Sequence, residues 1–167
     1  PGSSYLFDLS KGKVSLISTA APWIKDYQLA DIEPFTYTSR DGLKLHGYIT
    51  LPPNYEEGTQ IPFIVHPHGG PNARDYWGYN PEVQFYATRG YGVIQMDYRG
   101  STGYGREEMV LANHQMGKKM QEDKYDALMW ANEQGYVDMD NVCISGASYG
   151  GYAAMHAATK APDLFKC

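Results

Sequence analysis

Near the end of a 167-residue chain, the stretch Gly146-Ala147-Ser148-Tyr149-Gly150 fits the spacing G-x-S-x-G. That spacing serves nucleophilic catalysis when a strand leads into it and a helix leaves it. A serine at such a bend takes a strained backbone conformation that lifts its hydroxyl into the cleft. Glycines two positions to either side remove Cβ atoms that would strike neighbouring backbone. The spacing alone is weak, because a small-residue helix start that needs close packing also produces it. Here "NVCIS" before the turn reads as a buried strand, and "YGGYAAMHAATKAP" after it as an Ala-rich helix stopped by Pro162. Ser148 is therefore the candidate nucleophile of an acyl transfer.

Acyl transfer also needs donors aimed at the oxygen that becomes negative in the tetrahedral intermediate. The Tyr149 N–H follows the serine directly at a helix start, where backbone donors are unpaired and the helix dipole favours an anion. The second donor is expected from "HGGP" at the end of an earlier strand, at the Gly70 N–H, because a hydrolase fold draws it from a loop of that kind. His68 in the same turn is either a general base or, as we read it, a residue that orders the loop.

The elements that must position these groups can be read from hydrophobic period. "SSYLFDLSKGKVSLIS" gives a hairpin over residues 3–17 turning at Lys11-Gly12-Lys13, and "TAAPWIKDYQLADIEP" has no sustained period. A second hairpin spans residues 35–51 around Asp41-Gly42. "IPFIV", "YGVIQMDY" and "NVCIS" read as buried strands. "PEVQFYATRG" reads as a helix stopped by Gly90, and "GKKMQEDKYDALMWANEQG" as one capped by Gly135, with Met120, Ala127, Leu128 and Ala131 on one face and charges opposite. Strands alternating with helices predict an α/β fold with a doubly wound, mainly parallel sheet, whose ligands bind beyond the carboxyl ends of the strands. Gly-rich turns follow His68 and Arg99 and surround Ser148 at those ends.

Composition narrows the function. With 43% hydrophobic and 20% charged residues the chain has the profile of a globular protein. A net charge of -5 without a Lys/Arg cluster excludes a phosphate-tracking surface, so no nucleic-acid partner is expected. No run of 18 apolar residues predicts a membrane span. Two cysteines without CxxC or ligand-spaced histidines indicate neither a zinc site nor a disulfide framework; Cys143 is expected as a small core residue. No cofactor or metal is expected, and the glycines of "GSTGYG" lack the companions of a nucleotide site.

The ordered set "SRDGLKLHGYITLP", "HPHGGP", "DYRGSTGYG" and "GASYGGYAA" over residues 33–167 resembles the catalytic domain of the prolyl oligopeptidase family of serine peptidases, especially its acylaminoacyl-peptidase and dipeptidyl-peptidase branches. The resemblance implies an α/β-hydrolase domain joined to a β-propeller and a short peptide as substrate. It makes residues 1–17 similar to the end of the last propeller blade, 18–32 to the connection, and 33–167 to the N-terminal part of the hydrolase. It carries over Ser148 as nucleophile, Tyr149 and Gly70 as oxyanion donors, and Tyr98–Ser101 as a structural loop whose Arg99 braces its surroundings by ion pairs, a substrate contact being the lesser reading. Asp97 departs from the family, where Asn often stands. A carboxylesterase and a non-catalytic hydrolase-like domain remain as alternatives. A homo-oligomer of the full-length protein is compatible with either enzyme, and cytoplasmic and exported locations both stay open.

In this fold the activating residues follow the serine in the order acid, then histidine. After Ser148 come only His156 and Asp163, in the reverse order, and His156 stands eight residues along a helix, about 12 Å away. His46, His66 and His114 fall in a hairpin, a strand and a polar stretch. The base and its acid are thus expected outside this chain, read as a piece truncated at both ends and inactive alone, with "LFKC" as the start of a further strand. Tyr76 and Trp77 either line the peptide site or shelter the loop after "HGGP".

Overall fold

Alternation of apolar and polar residues pairs the first two strands. In the computed structural model, which describes residues 2–167, β1 (Ser3–Asp8) and β2 (Lys13–Thr19) form an antiparallel hairpin turning at Gly12, φ 61°. Pro1, the first residue of the segment likened to a blade, lies outside the described residues. Tyr5, Phe7, Val14 and Leu16 on this ribbon are all exposed. A 3-10 turn at Pro22–Asp26 leads away from it.

The second hairpin pairs β3 (Ile32–Thr38) with β4 (Lys44–Thr50), and Gly42 supplies the positive φ of its turn, 87°. The next elements are β5 (Ile61–Val65), α1 (Pro81–Ala87), β6 (Gly92–Asp97), α2 (Arg106–Val110), α3 (Lys119–Glu133), β7 (Val137–Ile144) and α4 (Tyr149–Lys160). Asn80 caps α1 by accepting from the Glu82 and Val83 amides, with Pro81 at the first helical position. The short α2 follows Gly105 in a stretch without hydrophobic period, which is why the sequence does not announce it.

The five strands lie in the order β3-β4-β6-β5-β7. β5 pairs parallel with both β6 and β7, whereas β4 pairs antiparallel with β3 and β6. The sheet is therefore mixed: β3, β6, β5 and β7 run one way and β4 alone runs against them, because the antiparallel hairpin enters the sheet through it. Both faces are covered. Ile94 and Met96 of β6 join Phe63, Val65 and Ile144 in a core closed by Ala127, Leu128 and Ala131 of α3 and Ala157 of α4. The alternate residues Val93, Gln95 and Asp97 point to the other face and are buried as well. Burial on both sides is what a continuous run such as "GVIQM" requires.

Gly47 opposite Phe35 admits that residue's ring across the strand, and Trp130 of α3 stacks on it at 4.1 Å. After Pro162 the chain returns along β7: Lys166 N–H donates to Val142 O (2.8 Å) and Ile144 N–H to Cys167 O (2.9 Å). This brings Cys143 and Cys167 to a Cα separation of 4.7 Å, and they form a disulfide. The expectation of a free core cysteine is corrected here: Cys143 is half-buried, and its partner, 24 residues on, is delivered by a strand-like return that spacing does not disclose.

Candidate active site

Strand β7 ends at Ile144 and α4 begins at Tyr149, so the intervening four residues must reverse direction within a very small space. Ser148 absorbs the turn with φ 57° and ψ -121°, a region that side-chain-bearing residues rarely occupy. The glycines show why the spacing is demanded. A methyl on Gly146 would stand 2.8 Å from Gly150 C, and one on Gly150 would collide with Pro67 O. Ser148 is exposed, and among the described residues its hydroxyl has no side-chain partner.

The "HGGP" turn lies against this bend. A methyl on Gly69 would be 3.3 Å from Ser148 Cβ and 3.8 Å from its Oγ. Gly70, at φ 127°, takes a conformation that needs glycine, and a Cβ there would meet Asn72 N at 2.7 Å. The peptide plane that carries the Gly70 N–H is fixed from its other end, where Gly69 O accepts a hydrogen bond from His68 Nδ1 at 2.7 Å. Gly150 N–H donates to Ala147 O, and Tyr152 N–H to Ser148 O, whereas the Tyr149 N–H has no backbone acceptor in the first turn of α4.

Among the described residues none of the remaining candidates is hydrogen-bonded to the Ser148 hydroxyl. His68 Nε2 is 3.0 Å from Ser101 Oγ, its ring stacks on Tyr98 at 4.4 Å, and burial lowers its pKa, so it orders the loop. Arg99 is a brace: its guanidinium grips both carboxylate oxygens of Asp123 (2.7 and 2.8 Å) and of Asp41 (2.7 and 2.9 Å). His46 stacks on Tyr104, His66 neighbours Glu82 at 3.9 Å, and His114 and Asp163 are exposed. His156 projects from the third turn of α4. Trp77 is exposed and donates to Ile32 O, and Tyr76 is exposed beside Arg74.

Behind the "HGGP" turn lies a polar cluster that hydrophobic patterning passes over. Asp97 accepts from the Asp75 N–H (2.8 Å) and the Tyr104 hydroxyl (2.5 Å), and Gln95 Nε2 donates to Asp75 Oδ1 (2.7 Å). Burial, with Asp97 beside it, pushes the Asp75 carboxyl up to about 7. His68, Asp75 and Asp97 offer ligand atoms within 4.8 Å of one another, but Asp75 Oδ2 is the cluster's one carboxylate oxygen without a hydrogen-bond partner. A cation would have to break the bonds that hold the turn. The one signal for this cluster in the sequence is the acid before "YRGS".

An α/β domain that raises an exposed serine at positive φ between two glycine turns has the strand–turn–helix geometry that a nucleophile bend requires. Residues 77–167 match the model of the prolyl oligopeptidase family, and the chain belongs to that family. Dipeptidyl aminopeptidase BIII of Pseudoxanthomonas mexicana is 37% identical over 98% of this chain and 24% of its own. The acylaminoacyl peptidase of Pyrococcus horikoshii superposes with a TM-score of 0.80 at 28% identity, over 97% of this chain and 26% of that one. A puromycin-hydrolyzing peptidase of Mycobacterium tuberculosis gives 0.80 at 31% identity, over 99% and 26%. The chain spans about a quarter of the length of these curated relatives, 24% of the Pseudoxanthomonas mexicana enzyme and 25% of dipeptidyl peptidase family member 6 of Caenorhabditis elegans.

Proposed function

We propose that this chain is the nucleophile-bearing part of a serine peptidase that cleaves short peptides through an acyl-enzyme on Ser148. The observation that carries the reading is the exposed Ser148 hydroxyl on a φ of 57°, flanked by the unpaired Tyr149 N–H and the Gly69-Gly70 turn. Ser148 Oγ attacks the scissile carbonyl carbon as a base takes its proton, and the Tyr149 and Gly70 amides receive the negative oxygen. The amine then leaves with a proton, and water releases the acyl group. In this reading the general base and its orienting acid come from residues outside these 167, since among the described residues no histidine is hydrogen-bonded to Ser148. In the same reading residues 1–17 end a propeller blade, 18–32 connect, and 33–167 form the first part of an α/β-hydrolase domain; the exposed apolar side chains of the hairpin suit a neighbouring strand.

The names of the relatives support an amide over an ester substrate. The test is turnover by the full-length protein of aminoacyl anilides and of short-chain nitrophenyl esters, with Ser148→Ala beside it. Anilide turnover that Ser148→Ala abolishes is expected, with none from the 167-residue chain alone. Turnover of esters only would make the protein a carboxylesterase, and turnover of neither a binding domain.

A further inference from the structure

The stripe that α3 turns to the core contains an anomaly. Met120, Ala127, Leu128 and Ala131 lie on it at helical spacing, and so does Lys124, which is 0% exposed. A lysine is almost never enclosed without a partner carboxylate. Asp123 next to it is no such partner, because both of its oxygens are held by Arg99. The ammonium instead donates to Met120 O at 2.6 Å and faces two aromatic rings, Tyr98 at 3.5 Å and Tyr149 at 5.3 Å from their centroids. One carbonyl and two π faces are the acceptors its three protons meet.

Those two rings belong to the two halves of the proposed oxyanion hole. Tyr149 contributes its N–H, and its ring is held between Tyr98 (5.8 Å) and Tyr152 (5.4 Å). The hydroxyl of Tyr98 donates to His68 O at 2.9 Å while its ring stacks on the imidazole that fixes the Gly69–Gly70 peptide. We infer that Lys124 is a positioning residue for the oxyanion hole: its ammonium pins the Tyr98 and Tyr149 rings together and so sets the distance between the Gly70 and Tyr149 donors. The inference rests on the function proposed above. It assigns a role in rate to a residue with no route to the substrate. An apolar side chain of equal length would fill the space without the desolvation of a charge, so packing alone does not account for a lysine here. Burial lowers the Lys124 pKa to about 7, with Asp123 opposing.

The test uses the full-length protein as wild type, Lys124→Met, Lys124→Gln and Ser148→Ala, with an aminoacyl anilide, a peptide boronic acid as tetrahedral analogue and the product peptide. Misplacing a donor by about 1 Å costs on the order of 100-fold in rate. Lys124→Met is therefore expected to lower kcat by about 10- to 100-fold with KM within about twofold, and to weaken the boronic acid by the same factor while leaving the product peptide unaffected. Lys124→Gln keeps a donor for Met120 O but not the charge, and behaves likewise; it is the deciding variant where Lys124→Met fails to fold. Wild-type kcat in a folded Lys124 variant, or equal losses for boronic acid and product, overturns the assignment while Ser148-dependent turnover by the wild type stands. Absence of that turnover removes the proposed function and this role together.

Discussion

Replacing Asp75 by Asn probes the polar cluster behind the "HGGP" turn. Asp75 ordinarily titrates near 3.8, and burial with Asp97 at its side raises it to about 7. A carboxyl whose folded pKa is raised binds its proton more tightly in the native state, so the native protein is favoured below pH 4 and loses that advantage as pH rises to 7. The slope from this group is about -1.4 kcal/mol per pH unit in that window, and the span from 3.8 to about 7 corresponds to a ceiling of roughly 4 kcal/mol. Water admitted around a carboxyl that is not fully enclosed brings the expected value to about 1–3 kcal/mol. Asparagine keeps an oxygen for Gln95 Nε2 and the backbone amide for Asp97, but it does not ionise. Urea unfolding of both proteins at pH values from 4.5 to 8.5 gives the difference directly, since groups common to the two cancel. Asp75→Asn is expected to gain on the wild type as pH rises to 7 and then to hold a constant lead. A difference independent of pH, or largest at low pH, refutes the reasoning.

Arg99→Met strands Asp123, whose side chain is fully buried, and costs about 3–5 kcal/mol at neutral pH by urea unfolding. Burial already favours the protonated form of Asp123, so the loss shrinks on acidification. For the disulfide, alkylation of the unfolded protein before reduction is expected to modify neither Cys143 nor Cys167, and afterwards both; labelling before reduction would remove the bond from the account. Closing a loop of this length, with a sequence separation of 24, contributes about 3 kcal/mol, which reduction should remove from the unfolding free energy.

Local signals served where the cause is local. Asp41-Gly42 marked its turn, Gly90 and Gly135 the ends of their helices, and the glycines around Ser148 the bend that their missing Cβ atoms permit. The order of the strands is a different matter: "LHGYIT" pairs with "VIQMD" rather than with the adjacent "IPFIV", and no short-range pattern sets that choice. Cys143 and Cys167 meet for the same reason. On α3 the charges were expected opposite the apolar face, yet Asp123 and Lys124 are buried, because Arg99 and two tyrosines reach them from other elements. Position 124 does fall four residues after Met120 and four before Leu128, so a charge inside a helical stripe was there to be noticed.

The contacts between the two glycine turns have an evolutionary corollary. Gly150 stands against Pro67 O and Gly69 against Ala147 O, each a main-chain atom of the other turn, and Gly146 against the main chain of Gly150 in its own, so trimming a side chain does not relieve these contacts. Neither turn can be remodelled while the other stays as it is. Change that leaves the bend intact is confined to exposed rim positions such as Tyr76, Met109 and Met116, whose side chains hold neither turn.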